Sequence, residues 1–300
     1  MNLQELRYLV AVDDERHFHR AAERCFVSQP TLSGQLKKLE QELGVLLVER
    51  SNRQVNMTEA GSVVAEQARK ILVEVAAIHD IAETYHDPMS GELHVGLIPT
   101  VAPYLLPVIM PAIKKSCPQL KLWLHEYQTS VLLEKLRRAE LDFLILALPV
   151  DSDNFSRIEL FREPFQLAVP RAEALAKQPL ITLGDIKGRE MMLLEEGHCL
   201  RGHALDVCLL AGAAEYADYY ASSLETLRHM VGEGMGMTLM PELAVPKKQR
   251  KRDAVQYIPF SDPKPNRRIG MLYRRNSYRQ ETFNNLAELI ITALPVNVFF

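Results

Sequence analysis

The sequence predicts an α/β protein in which a winged helix-turn-helix and a long linker helix precede a two-lobed α/β domain. Three observations support this fold class. Short amphipathic helical patterns and strand-sized segments fill the first 58 residues, and a long helical pattern ends at the breaker cluster Asp87–Gly91. Strand and helix patterns then alternate to the end of the chain. A length of 300 residues itself favours more than one domain.

The composition excludes several classes of protein. Hydrophobic residues make up 47% and charged residues 24%, as in ordinary globular chains. The longest apolar run, Leu141–Val150, is far shorter than a membrane span, and the first residues lack the features of a secretory signal. We therefore expect a cytoplasmic protein without membrane contact. The net charge is −3, yet residues 16–53 carry seven basic and four acidic side chains, which permits a local basic face.

The first three helices have clear sequence signals. Leucines at helical spacing predict a helix from Leu3, and a second short helix fits His19–Cys25. Ser28 is a good N-cap for a third helix, Pro30 is tolerated in its first turn, and Gly44 is a stop signal. One face of this helix carries Leu32, Leu36, Leu39 and Leu43.

Two short helices, a tight turn and a longer helix form a helix-turn-helix candidate. With the leucines facing the core, the third helix turns a polar face with lysines outward, and such a face fits a DNA major groove. An ordinary solvated helix face explains this pattern equally well. The candidate DNA-binding residues are Ser28, Gln29, Pro30, Thr31, Ser33 and Lys37, with Lys38 beside them.

A hairpin and a long helix complete this region. Val45–Arg50 and Gln54–Met57 are predicted strands of a wing, and Arg50 and Arg53 flank its tip, where they would contact DNA. Thr58 is expected to cap the long helix. Apolar residues alternately four and three positions apart form a heptad seam along this helix, and this seam predicts coiled-coil dimerisation. The residues are Val64, Ala68, Ile71, Val75, Ile78 and Ala82.

These segments resemble the N-terminal signature of LysR-type transcriptional regulators. The resemblance implies a DNA-binding domain at 1–58, a dimerising linker helix at 59–90, promoter DNA as a partner, and a homotetramer built as a dimer of dimers. It is carried by Ala21-Ala22, Ser28 to Ser33, Leu39-Glu40, Leu43-Gly44, Glu49-Arg50 and Thr58 to Gly61.

The alternation of elements over 91–300 predicts mostly parallel sheets. The plan resembles periplasmic-type binding folds, with lobe I at 91–162 and 269–300 and lobe II at 163–268. Ligands of such folds lie at the carboxyl ends of strands. Expected strands are His94–Ile98, Leu120–His125, Leu141–Leu148, Phe165–Val169, Met191–Leu194, Tyr219–Ala221, Thr238–Met240 and Ile269–Tyr273; expected helices run from Thr100 toward Ile113 and over Leu132–Arg138, Ala204–Leu210, Leu224–Val231 and Glu281–Leu294.

Thr100 and Thr129 follow the first two of these strands. A hydroxyl at a helix N-terminus suits an anion or a small polar ligand, although a helix cap or a turn explains each threonine as well.

The chain has four cysteines, Cys25, Cys117, Cys199 and Cys208, and no CxxC spacing for a metal. Thiols of a cytosolic protein are normally reduced. Cys199 lies between His198 and Arg201, and a neighbouring donor or positive charge favours the thiolate that attacks peroxide. Cys208 is the nearest thiol that could trap the oxidised sulfur.

Helix geometry sets a condition on such a bond. A fully helical interval would separate the two Cα atoms by about 13 Å along the axis, whereas a disulfide needs about 7 Å or less. Closure would force local unfolding, offset in part by the crosslink, which is worth about 2.7 kcal/mol in the chain-entropy model. The spacing fits a switch, and two inert buried thiols remain the alternative.

The second half of the chain resembles the hydrogen-peroxide-sensing LysR-type regulators. The resemblance implies that Cys199 is oxidised and Cys208 resolves it, while Thr100, Thr129, His198 and Arg267 form the peroxide-binding site; the adjacent Arg268 is the alternative to Arg267. The matching segments are Gly96 to Thr100, His125-Glu126, Met192 to Cys208 and Ser223 to Arg228.

The same resemblance implies a regulator of oxidative-stress genes that needs no cofactor or metal and is not an enzyme. RNA polymerase would be a partner, and glutathione or glutaredoxin would reduce the disulfide. Two alternatives stay open: a LysR-type sensor of a small metabolite with inert cysteines, and a thiol peroxidase. The cysteine pair disfavours the first, and the helix-turn-helix disfavours the second.

Overall fold

A computed structural model of the chain describes residues 1–50, 55–84, 87–150, 154–248 and 253–295. The chain divides into two compact units, Met1–His86 and Asp87–Phe300. No helix within the described ranges is both long and apolar enough to cross a membrane.

The first unit begins with three helices, as the sequence predicts: α1 (Leu3–Glu15), α2 (Phe18–Arg24) and α3 (Gln29–Leu43). The Ser28 hydroxyl caps α3 by accepting a hydrogen bond from the Thr31 amide at 3.3 Å. Gly44 ends α3 at a φ of +69°, a left-handed conformation that glycine adopts readily. Of the four leucines that the pattern assigned to one face of α3, Leu32, Leu36 and Leu39 are buried, whereas Leu43, at the end of the helix, is exposed.

The wing is shorter than predicted. Its strands are β1 (Val48–Arg50) and β2 (Val55–Met57), which pair antiparallel. Val45 and Leu46, expected to begin the first strand, are instead largely exposed in the segment that follows α3. Arg53 and the side chain of Arg50 lie outside the described residues, so their predicted DNA contacts stay predictions.

The long helix α4 (Glu59–Thr84) begins where Thr58 caps it, since the Thr58 hydroxyl accepts from the Gly61 amide at 2.9 Å. Gly61 is required by packing, because an added Cβ would lie 2.0 Å from the Leu47 carbonyl oxygen. Along the predicted seam, Ala68 is buried within the unit, whereas Ile78 is exposed. The dimerising role of the seam remains a prediction.

Phe26, in the turn between α2 and α3, combines a φ of +54° with 96% exposure. A bulky side chain in the left-handed region is strained, and asparagine tolerates that region better. We expect Phe26→Asn to raise the free energy of unfolding of the first unit by about 1 kcal/mol. Urea denaturation measures the change, and Phe26→Ala is the control that removes the ring but keeps Cβ. An equal gain in both variants would contradict a backbone origin.

The strands of the second unit are β3 (Gly91–Leu97), β4 (Leu120–Glu126), β5 (Phe143–Leu148), β6 (Phe155–Pro170), β7 (Glu190–Leu194), β8 (Ala214–Ala221), β9 (Thr238–Pro241), β10 (Val255–Pro259) and β11 (Asn266–Arg274). The second unit contains a seven-stranded sheet in the order β10-β6-β11-β5-β3-β4, with β9 also paired to β6, and a separate two-stranded sheet of β7 and β8. Its helices are α5 (Ala102–Ser116), α6 (Thr129–Arg137), α7 (Cys199–Ala211), α8 (Leu224–Gly232) and α9 (Gln280–Ala293).

The expectation of mostly parallel sheets is wrong for the long sheet. Strands β3, β4 and β5 are parallel, but β6 pairs antiparallel with β11, β10 and β9, and β11 pairs antiparallel with β5. Of the residues in β6, the sequence interpretation placed only Phe165–Val169 in a strand. It did not predict β10. Strand β6 instead runs through 16 residues without a break. The chain thus passes between lobes along strands, and the returning β11 must lie antiparallel to β6.

The two-lobed plan is confirmed, and the buried apolar residues of the second unit form two clusters. Lobe I packs around β3, β5, α5 and α9, and lobe II packs around β7, α7 and α8. Strand β6 contributes its first half to one cluster and its second half to the other. The middle of β6, between Phe161 and Phe165, therefore lies where the two lobes join.

Candidate functional site

The carboxyl ends of three parallel strands supply one edge of the candidate site. Strands β4, β3 and β5 are neighbours in that order. Thr100 follows β3, Thr129 follows β4, and Leu148 is the last residue of β5. Because the carboxyl ends of parallel strands share one edge of a sheet, all three residues lie at the edge where α/β folds bind ligands.

Arg267 makes the most extensive polar contacts at this edge. Its Nη1 donates to the Thr100 hydroxyl at 2.9 Å and its Nη2 to the Thr100 carbonyl oxygen at 2.8 Å. Its Nε donates to Glu163 Oε2 at 2.8 Å, across the paired strands β11 and β6. The Arg267 and Glu163 side chains have no solvent exposure. The buried charge is therefore neutralised, and the guanidinium is held in one orientation.

The neighbouring Arg268 has a different environment. Its side chain is 45% exposed and pairs with Glu159 at 3.5 Å. Adjacent residues of a strand point to opposite faces of the sheet, so only one of the two arginines can face Thr100. The structure places Arg267 there.

Thr129 is the first residue of α6, and its hydroxyl oxygen is buried without a hydrogen-bond partner among the described residues. Gln128, just before it, lies against the segment that leads to Cys199, since a Cβ added to Gly197 would be 2.6 Å from Gln128 Oε1. Gly197 has a φ of +94°, so both its backbone and this close approach require glycine. The contact brings the Thr129 and His198 segments together.

His198 and Cys199 form the start of α7. His198 is the N-cap residue and is buried, with its Nε2 3.9 Å from Glu195. Cys199 is half-buried and packs against the lobe I cluster. Both residues follow the loop that contacts Gln128, so they lie on the same side as the strand ends.

Cys208 occupies a different environment on the same helix. It is buried within the lobe II cluster, and this burial raises the pKa of its thiol to about 11. The whole interval from Cys199 to Cys208 is helical. Nine residues correspond to about 13 Å of rise and place the two side chains on opposite faces of the helix. The two sulfurs therefore cannot bond while α7 is intact.

Arg201 does not have the role that the sequence interpretation gave it. It pairs with Glu215, donates to the Leu194 carbonyl at 3.2 Å and lies over the Tyr220 ring. Two residues along a helix differ by about 200° in direction, which turns Arg201 away from Cys199 and toward β7 and β8. Its ion pair with Glu215 holds α7 against lobe II.

The candidate DNA-binding residues keep an exposed face on α3. Gln29, Pro30, Thr31 and Lys37 are exposed. Ser28 combines exposure with a capping role, since its hydroxyl also bonds the Thr31 hydroxyl at 2.7 Å. Ser33 is half-buried, and Lys38 lies 3.6 Å from Glu5.

Sequence reasoning missed Glu163, Gln128 and His203. Glu163 neutralises Arg267 although the two residues are 104 positions apart in the sequence, and no local sequence pattern predicts such a pair. Gln128 could have been found from its position between two predicted elements beside Thr129. His203 could have been found because it follows Cys199 by four residues on a helix, a spacing that brings side chains together. The described residues contain no cluster of three metal-ligating side chains.

Comparisons with known proteins identify the family. The model of the bacterial regulatory helix-turn-helix protein, lysR family, matches residues 3–62, and that of the LysR substrate binding domain matches residues 86–295. The chain belongs to the LysR family of transcriptional regulators. It is a DNA-binding regulator with the winged helix-turn-helix and two-lobed α/β plan predicted from its sequence.

Curated relatives are similar over nearly the whole chain. The DNA-binding transcriptional dual regulator OxyR of Escherichia coli K12 is 48% identical over 97% of this chain and 95% of the relative. A hydrogen peroxide-inducible genes activator of Haemophilus influenzae is 44% identical over 97% of this chain and 96% of the relative.

Solved structures of OxyR have the same fold. Full-length OxyR of Pseudomonas aeruginosa, with a cysteine-to-aspartate substitution, covers 97% of this chain and 94% of its own, at a TM-score of 0.77 and 38% identity. A hydrogen peroxide-bound cysteine-to-serine mutant of Corynebacterium glutamicum OxyR covers 97% and 92%, at a TM-score of 0.68 and 33% identity.

Proposed function

We propose that this regulator senses hydrogen peroxide through a reversible disulfide between Cys199 and Cys208 and thereby controls oxidative-stress genes. The observation that carries the proposal is the position of the two cysteines. One helix holds Cys199 beside the polar strand ends and Cys208 in the core of lobe II. A bond between them requires α7 to unfold, which converts a chemical event into a change of structure.

The contacts at the strand ends fix Thr100 and Arg267, and we assign a chemical role to each of the four predicted residues. The Cys199 thiolate attacks one oxygen of hydrogen peroxide; the O–O bond breaks, the sulfur becomes a sulfenic acid, and hydroxide leaves and takes up a proton. Thr100, Thr129 and His198 orient the peroxide. Arg267, fixed by Glu163, stabilises negative charge on the leaving oxygen.

Resolution of the sulfenic acid depends on release of Cys208. With its pKa raised to about 11 by burial, this thiol is protonated at neutral pH and unreactive while it stays in the lobe II core. Unfolding of α7 returns the thiol to water and lets it approach Cys199. The Cys208 thiolate then attacks the sulfenic sulfur, the S–S bond forms as the S–O bond breaks, and the leaving hydroxide takes up a proton to become water. Structural release therefore precedes disulfide closure.

The consequence for transcription depends on the assembly that the family resemblance implies. We propose a homotetramer, a dimer of dimers, in which the refolded segment changes the packing of the regulatory units. That change re-spaces the α3 helices on promoter DNA and presents a surface to RNA polymerase. Glutathione or glutaredoxin restores the thiols by exchange with the disulfide. Repeated turnover as a peroxidase is not part of this function.

A paired measurement tests the proposal. Free thiols are labelled before and after micromolar peroxide, and the footprint on promoter DNA is mapped on the same samples. We expect the intact protein to lose two free thiols per chain and change its footprint. Cys199→Ser should abolish both responses, and Cys117→Ala, which removes a buried thiol of the same unit, should keep both.

A Cys199→Ser protein whose footprint still changes with peroxide contradicts the proposal and favours a sensor of another ligand. Many turnovers of peroxide per chain at enzyme-like rates, with a reductant present, favour the peroxidase instead.

A further inference from the structure

We propose that His203 is a positioning residue for the redox helix, because its imidazole ties the first turn of α7 to the end of β5 in the reduced protein. This inference rests on the proposed function, since it assigns a role in the conversion of a Cys199 sulfenic acid to the disulfide.

The two contacts of His203 lie on different elements. Its Nδ1 is 2.9 Å from the carbonyl oxygen of Cys199, and its Nε2 is 3.1 Å from the carbonyl oxygen of Leu148. Leu148 ends β5 in lobe I, whereas most of α7 packs into lobe II. One ring therefore joins the backbone of the sensing cysteine to the neighbouring lobe.

The chemistry of the contacts fits a histidine. Both partners are carbonyl oxygens, which only accept hydrogen bonds, so the ring serves them through its N–H groups. Imidazole carries a nitrogen on each of two edges and reaches acceptors in two directions. A neutral ring has one N–H, and we assign it to Nε2, which donates to the Leu148 carbonyl oxygen and so joins α7 to lobe I.

His203 and Arg201 hold the same turn from opposite sides. His203 follows Cys199 by four residues and so lies on nearly the same face of α7, toward lobe I. Arg201 binds Glu215 and the Leu194 carbonyl on the lobe II side. The first turn of α7, which carries Cys199, is thus held by His203 on the lobe I side and by Arg201 on the lobe II side. Cys199 lies on the same side as His203.

The His203 tie exists only while α7 is helical. The Cys199 carbonyl and the His203 ring meet because four residues of helix separate them, and unwinding toward Cys208 removes that spacing. The tie therefore stabilises the reduced protein and not the disulfide form. Loss of the His203 contacts should speed formation of the Cys199–Cys208 disulfide and make that disulfide harder to reduce.

Two conservative substitutions separate the contacts. The amide nitrogen of asparagine occupies the place of Nδ1, and that of glutamine occupies the place of Nε2. His203→Asn keeps a donor for Cys199 but loses Leu148, whereas His203→Gln keeps a donor for Leu148. His229→Ala, at an exposed position on α8, is the matched control.

The experiment uses the full-length protein. Stopped-flow measurement follows sulfenic acid formation and disulfide closure separately after a peroxide pulse, and glutathione buffers give the midpoint potential. We expect His203→Asn to close on the order of fivefold faster, the effect of one lost hydrogen bond. Its midpoint potential should be about 20 mV more negative. His203→Gln should stay near the unaltered protein, and His229→Ala should match it.

Equal behaviour of His203→Asn and the unaltered protein overturns the inference, as does an equal change in both His203 variants. If the unaltered protein forms no Cys199–Cys208 disulfide by peptide mapping, the proposed function itself fails. A disulfide that forms with a closure rate insensitive to His203 rejects the positioning role alone.

Discussion

Glu163→Ala is expected to lower the free energy of unfolding by about 3–5 kcal/mol, because it leaves the buried Arg267 without a counter-charge. The substitution also removes the acceptor of the Leu243 amide, which donates to Glu163 Oε1 at 2.9 Å. Guanidinium denaturation followed by circular dichroism measures the change, read from the transition of the second unit. Thr100 loses its fixed arginine partner at the same time, so the reaction of Cys199 with peroxide should slow.

The adjacent arginine provides a matched control. Glu159 pairs with Arg268 at the surface, where both side chains are partly exposed. Glu159→Ala should cost less than about 1 kcal/mol, since water and salt screen an exposed pair. Comparable losses in the two variants would contradict the role assigned to burial, and a stable Glu163→Ala protein with a normal peroxide reaction would remove Glu163 from the site.

Thr129→Val is expected to leave stability unchanged or raise it by about 1 kcal/mol while slowing the peroxide reaction of Cys199 on the order of a hundredfold. The Thr129 hydroxyl oxygen is buried and makes no hydrogen bond among the described residues, so its removal breaks no internal contact. We propose that the partner of this buried hydroxyl is the peroxide itself. Stopped-flow kinetics of thiol loss and urea denaturation give the two quantities.

Thr292→Val serves as the comparison, because the Thr292 hydroxyl donates to the Glu288 carbonyl within α9, away from the strand ends. We expect it to react with peroxide at the unaltered rate. A Thr129→Val protein that also keeps that rate would show that the hydroxyl does not contact peroxide. A Thr129→Val protein that loses several kcal/mol would instead point to a structural role.

The chain's local structure was predictable because short-range rules govern it. Ser28 and Thr58 each cap a helix through a hydroxyl, as their sequence contexts predict, and Gly44 ends α3 in the left-handed conformation. The separation of Cys199 and Cys208 required only the rise of a helix once the interval is helical; the sequence predicted a helix from Ala204, and α7 begins five residues earlier, at Cys199. Family membership was also readable from motifs in order along the sequence.

Strand boundaries were predicted less well. The long strand β6 carries charged residues where the lobes join. In a hydrophobicity pattern, this polar stretch between two apolar segments resembles a loop. Glu163 lies in that polar stretch, and its charge is compatible with a buried strand only because Arg267 lies opposite it on β11. The Glu163–Arg267 pair that allows β6 to continue therefore cannot be predicted until β6 and β11 are aligned.

The sequence by itself determined the family, the helix-turn-helix and the nine-residue spacing of Cys199 and Cys208. Only the tertiary structure decided which arginine faces Thr100, which acid neutralises it, and that His203 reaches the end of β5. The physical reason is the range of the interactions. Caps, turns and helical spacing act within a few residues, whereas these contacts join elements separated by 55 to 167 residues and form only when the sheet and α7 are packed.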